Sequence, residues 1–129
     1  MSHVKETLKS LLSDLPELEL AFLFGSRAVG THNPDSDIDL AVLLEQPMTP
    51  EQKQALIERV SAEVGCPVDV VDLFDAPEPV LGEVLRGERL LGDNAAYARL
   101  LTRHVMNVAD FLPLRQRILD ERRAAWTRR

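Results

Sequence analysis

Val4, Leu8, Leu11, Leu12 and Leu15 recur at three- and four-residue intervals, and Pro16 follows them. That spacing predicts a short amphipathic helix over residues 3–14. Leu20 to Phe24 is a compact apolar run stopped by Gly25, the pattern of a buried strand. A second strand is expected over DIDLAVLL, residues 37–44. Thr49-Pro50-Glu51-Gln52 supplies an N-cap, a proline at the first helical position and a glutamine placed for a capping box. The helix it opens turns Leu56, Val60 and Val64 inward and ends at Gly65, a suitable C-cap.

VDVVDL, residues 68–73, reads as a third strand, Pro79–Arg86 as a helix stopped by Gly87, and Arg89–Leu91 as a short edge strand. Asp93 is placed to cap a long helix carrying Tyr97, Leu100, Leu101, Val105, Val108, Phe111 and Leu112 on its apolar side. Pro113 should break or kink that helix near residues 109–112. Strands thus alternate with helices. The expected fold is α/β (α+β): a small mixed β-sheet with helices packed on it and a long C-terminal helical segment. The 129 residues suit one domain, with a core over about 1–92 and the helical segment over about 93–129.

Composition narrows the classes. Hydrophobic residues make up 45% and charged residues 28%, the balance of a globular chain. No stretch approaches the roughly 20 apolar residues of a membrane span, and the N-terminus has no secretory pattern. Cys66 is the single cysteine, which excludes an intrachain disulfide and fits a small buried hydrophobe. Cytoplasm is the expected compartment. Net charge is −6, yet Pro113–Arg129 holds six arginines against Asp120 and Glu121, so the rest of the chain is the more acidic. An acidic body argues against direct nucleic-acid binding, which needs basic surface.

Against that background FLFGSRAVGTHNPDSDIDLAV, residues 22–42, stands out. Asp37 and Asp39 point to one side of a strand with α-carbons about 6.6 Å apart. Ile38 and Leu40 point the other way. Two carboxylates aimed at one spot repel each other, and a pair of divalent cations would remove that repulsion. Upstream, Gly25-Ser26 sits where a strand ends and a helical turn can begin, a corner whose N–H groups favour phosphate. Arg27 stands beside it; it could touch phosphate, or be exposed or paired with a loop carboxylate. A third oxygen ligand should come from VDVVDL, where Asp69 and Asp72 lie on opposite faces. Asp69, nearer the middle of the strand, is the stronger candidate, and Asp72 reads as a turn or cap residue. The plainer alternative makes Asp37 a turn cap and Asp39 a solvated edge residue, but it leaves Gly25-Ser26 unexplained. His104 reads as a packed, hydrogen-bonded histidine, His32 as a solvent-facing loop residue, Tyr97 as core and Trp126 as a contact residue.

Gly25-Ser26, ten residues, then Asp37-Ile38-Asp39 resembles the GS-x10-DxD signature of the DNA polymerase β-like nucleotidyltransferases. FGSRA and PDSDIDLAV look like the minimal nucleotidyltransferases of that superfamily, and ADFLPLRQRILDERR resembles the end of the MntA-type antitoxins. The resemblance implies a polymerase β palm-like fold and adenylyl transfer. ATP would place its phosphates at Gly25 and Ser26, and two Mg²⁺ ions would be held by Asp37, Asp39 and Asp69. Asp69 would also serve as general base or as a metal-held activator of the acceptor hydroxyl. The implied partner is a cognate HEPN-domain (HepT-like) ribonuclease toxin, bound in a hetero-oligomer and modified on a tyrosine. A mainly complex-forming antitoxin and a small-molecule nucleotidyltransferase are the alternatives.

Overall fold

The structure is a computed structural model and describes residues 2–25 and 37–109. Its elements run α1 (Ser2–Ser13), β1 (Leu18–Phe24), β2 (Ile38–Leu44), α2 (Pro50–Val64), β3 (Val68–Asp72), α3 (Val80–Leu85), β4 (Glu88–Gly92) and α4 (94–109). The strands form one mixed sheet in the order β3-β2-β1-β4. β1 pairs antiparallel with β2 and β4, while β2 and β3 run parallel. This is the mixed sheet with packed helices that the apolar pattern predicts.

Alternation along the strands separates two apolar clusters. On one face Ala21, Leu23, Ile38, Leu40, Val42, Val68 and Val70 meet Leu8 and Leu12 of α1 and Leu56 and Val60 of α2. On the other, Leu20, Phe22 and Ala41 meet Leu81 and Val84 of α3 and Ala96 and Leu100 of α4. Helices therefore cover both faces. Tyr97 adds an edge-to-face contact with Phe22 at 6.0 Å, and the Arg89 guanidinium lies 4.7 Å over its ring.

Local chemistry fixes the ends of α2. Thr49 Oγ1 accepts from Gln52 N and Gln52 Oε1 accepts from Thr49 N, a complete capping box. Gly65 closes the helix in the left-handed region at φ 74°. At α4 the Asp93 carboxylate accepts from Ala96 N at 2.8 Å, the expected cap. Cys66 is half-buried against the first cluster.

The far part of α4 departs from expectation. Leu101, Val105 and Val108 are exposed, at 41, 56 and 38%, rather than turned inward. The inward stripe of α4 instead continues from Ala96 and Leu100 into Arg103, His104 and Asn107, and it becomes polar where the sheet beneath it ends. Arg103 donates to the carbonyls of Leu73 and Phe74, and His104 and Asn107 bond to Glu78. These bonds satisfy groups that an apolar stripe would leave unpaired. The expected break before Pro113, His32 and Trp126 lie outside the described residues.

Candidate functional site

Asp39 is the second residue of β2. The parallel register sets it directly against Asp69 on β3, with α-carbons about 4.8 Å apart across the ladder. On the other side the antiparallel register sets it against Phe24, so Gly25 follows immediately beside it. Gly25 adopts φ +73°, and a Cβ there would fall on Asp39 Oδ2. Glycine is needed twice over: for the left-handed turn and for the carboxylate packed against its α-carbon. Asp37 stands one residue before the strand and is exposed. Asp39 and Asp69 share the face of the sheet that α3 and α4 cover.

Ser26 and Arg27 lie outside the described residues. Asp72 is oriented elsewhere. Its Oδ2 accepts from Met48 N at 2.9 Å and its Oδ1 from Phe74 N at 3.0 Å, which ties down the turn after β3. It stands opposite Val42, at the far end of the ladder from Asp39.

A cavity of about 550 Å³ opens where the strand ends meet α3. Gly25, Asp39 and Asp69 line its sheet side, and Val80, Glu83 and Arg86 line its helix side. Glu83 and Arg86 are absent from the sequence-based candidates. Their only signal is position: with Leu81 and Val84 facing the core, Glu83 between them and Arg86 at the C-cap are left to border whatever lies at the helix edge. Val80 and Glu83 of α3 and Arg86 at its C-cap face the carboxylates across the cavity because Gly87 brings the chain hard against β1. A Cβ at Gly87 would strike the Leu23 carbonyl and come within 2.7 Å of Phe24 Cβ.

The electrostatics are those of crowded negative charge. Burial first, and then the charges of Asp69, Asp37 and Glu83, push the Asp39 carboxyl above its ordinary range. Three carboxylates therefore bear on Asp39 at once. Among the described residues no three acidic, histidine or cysteine side chains are gathered closely enough to enclose an ion. The carboxylates line an open hollow instead. An all-oxygen, hard donor set of this kind fits a divalent cation such as Mg²⁺, which keeps room for water or substrate oxygens.

A second polar cluster lies behind α3. Glu78 Oε1 meets His104 Nδ1 at 2.8 Å and accepts from Asn107 at 3.4 Å, while Oε2 accepts from Gly82 N at 3.3 Å. Partial burial pushes the Glu78 carboxyl up, but the hydrogen bonds of His104 and Asn107 and the His104 charge outweigh it and hold it below its ordinary range. His104 is thus packed and hydrogen-bonded, as its helix position predicts.

Comparison with known proteins agrees with this geometry. The chain is 29% identical over 115 residues to the protein adenylyltransferase MntA of Shewanella oneidensis, covering 88% of this chain and 83% of that protein. Among solved structures, a toxin–antitoxin with AMP-PNP superposes with a TM-score of 0.77 at 27% identity, covering 92% of this chain and 96% of that one. The tri-AMPylated Shewanella oneidensis HEPN toxin in complex with MNT antitoxin gives a TM-score of 0.76 at 25% identity, covering 94% and 98%. Residues 6–96 match the family described as Polymerase beta, Nucleotidyltransferase. With that match spanning all four strands of the sheet and its carboxylates, the chain belongs to the polymerase beta nucleotidyltransferase family and is a nucleotidyltransferase.

Proposed function

We propose that this chain is an adenylyltransferase antitoxin. It transfers AMP from ATP to a tyrosine hydroxyl of a cognate HEPN ribonuclease toxin and so silences it. The observation that carries the reading is the shared cavity: Gly25, Asp39 and Asp69 line it together, in a chain similar over most of its length to a protein adenylyltransferase. We read the whole chain as one minimal domain acting in the cytoplasm.

Asp37, Asp39 and Asp69 would hold two Mg²⁺ ions, which when bound neutralise charge on the α-phosphate and make the acceptor hydroxyl easier to deprotonate. The chain's own residues do the rest. Gly25 lets the nucleotide phosphates approach the end of β1, with Ser26 as a further donor and Arg27 beside it. The acceptor oxygen attacks the α-phosphorus in line, the bond to the β-phosphate oxygen breaks, and pyrophosphate leaves with that electron pair. The hydroxyl proton passes to Asp69 or to solvent.

Incubation with α-labelled ATP, Mg²⁺ and the co-encoded HEPN partner tests this. Wild-type protein should label the partner's tyrosine and Asp39→Asn should not. Equal labelling by the two proteins would overturn the assignment.

One observation favours a second reading, neutralisation chiefly by complex formation. Leu101, Val105 and Val108 form an exposed apolar strip on α4, with Met106 exposed to one side of it, suited to a protein partner. Full neutralisation of the toxin by the Asp37→Asn/Asp39→Asn double variant would select this reading over catalysis.

A further inference from the structure

Resting on the nucleotide reading above, we propose that Arg86 binds the β- and γ-phosphates, the part of ATP that departs as pyrophosphate. Three observations converge on it. Arg86 is the only cation among the described residues lining the cavity that holds Gly25, Asp39 and Asp69. Its guanidinium makes no ion pair with any described residue, although Glu83 stands one helical turn away in the same wall. The backbone that carries it is also anchored. Gly87 abuts the Leu23 carbonyl and the Phe24 backbone so closely that a Cβ there would clash, which locks the end of α3 against the residues that lead into Gly25.

Charge gives the site its need. Asp39 feels Asp69, Asp37 and Glu83 at once, so the hollow repels a polyphosphate wherever cations do not intervene. A guanidinium carried on this anchored backbone at the Gly25 end offsets that repulsion at one place and matches phosphate oxygens with two parallel donors. The α-phosphate must lie by the carboxylates, where the transfer occurs. Arg86, on the opposite wall, is left for the distal phosphates. Arg86 thereby discriminates ATP from AMP, the part of the nucleotide that stays on the acceptor.

Equilibrium binding tests this without turnover. Mg²⁺ complexes of ATP and pyrophosphate, and AMP alone, are titrated into wild type, Arg86→Ala and Arg86→Lys. Losing a bidentate charged contact should weaken ATP and pyrophosphate by about tenfold or more in Arg86→Ala. AMP affinity should stay within about twofold, and Arg86→Lys should recover part of the loss because the charge remains but the fork does not. Unchanged ATP affinity in Arg86→Ala would overturn the proposal, as would an equal loss for AMP and ATP. Melting curves of the nucleotide-free variants separate loss of contact from loss of fold. The outcomes also separate this inference from the reading beneath it. If wild type fails to bind Mg-ATP, the nucleotide reading fails; if wild type binds and Arg86→Ala binds equally, only the role of Arg86 fails.

Discussion

The two faces of the sheet carry opposite chemistry on the same strands. Against α1 and α2 the strands present an apolar layer whose rim carries Asp72 and, paired with Lys5 of α1, Glu88; beneath it Leu8, Leu12, Ile38, Leu40 and Val60 are fully buried. Against α3 and α4 the apolar layer of Phe22, Ala41, Leu81 and Val84 gives way, toward the strand ends, to Asp39 and Asp69. Successive residues of β2 thus answer different demands: Ile38 and Leu40 hold the strand down while Asp39, between them, faces the cavity. The difference shows how a small fold carries several like charges at one point. Apolar layers on both faces supply the stability, and the strand ends on the open face are left for the carboxylates.

Neighbouring substitutions in β2 should break the two faces apart. Asp39→Asn should reduce AMP transfer by about a thousandfold, the scale of losing several kcal/mol of charge stabilisation. Its stability in denaturant without added metal should match or exceed that of wild type, because one repelled carboxylate is gone. Leu40→Ala should do the reverse to stability, lowering it by about 2–5 kcal/mol through the lost methyl groups and the cavity left behind. Chemical denaturation of both variants gives the comparison directly. Asp39→Asn losing as much stability as Leu40→Ala would mean that the carboxylate is part of the packing after all.

How far the sequence reveals this arrangement depends on the range of the interaction concerned. Thr49 and Gln52 are legible as a capping box because both partners lie within four residues. Asp37 and Asp39 can be placed together for the same reason. That Asp69 stands against Asp39 depends on β3 pairing parallel with β2, in a register that strand alternation narrows but does not determine. Glu83 and Arg86 are harder still. Their place in the cavity wall follows from α3 crossing the strand ends and from Gly87 closing on β1, both tertiary facts. The α4 strip fails for a different physical reason. Helical spacing identifies Leu101, Val105 and Val108 as one apolar side, but the inward side is chosen by where the sheet ends and where Glu78 and the Leu73 and Phe74 carbonyls await donors.

The helices on the two faces sharpen the comparison with a smaller effect. α2, on the closed face, is capped at both ends by its own sequence. α3, on the cavity face, has Pro79 at its N-cap and no side-chain cap bond from that residue; Glu78 Oε2 reaches Gly82 N instead, and Glu78 is itself held by α4. Thr49→Ala should therefore cost about 1 kcal/mol, read by denaturation, and leave nucleotide affinity unchanged. A comparable stability loss in Glu78→Gln should come with weaker Mg-ATP binding, since α3 carries a wall of the cavity. Nucleotide affinity unmoved by Glu78→Gln would show that α3 is held well enough by Leu81 and Val84 alone.

The smallest effect is a pH dependence whose sign differs between these two carboxylates. Asp39 has its folded value raised above the ordinary 3.8, so between the two values the native state binds more protons than the unfolded chain. Its ionisation then removes stability as pH rises through that window. Glu78 has its folded value lowered below the ordinary 4.5, so its contribution is complete above 4.5 and is lost as pH falls through the folded value. Measured in metal-free buffer, the stability advantage of Asp39→Asn over wild type should grow as pH rises from about 4 toward neutrality, where both states of wild type are ionised. The deficit of Glu78→Gln should grow only up to about 4.5 and then level off. An advantage of Asp39→Asn that is flat across this range would remove the crowded-charge account of the cavity, while a flat deficit in Glu78→Gln would leave that account intact and reduce the Glu78 contacts to packing. The two faces would then differ in composition alone, and only the first result would touch the reason for the carboxylates being there.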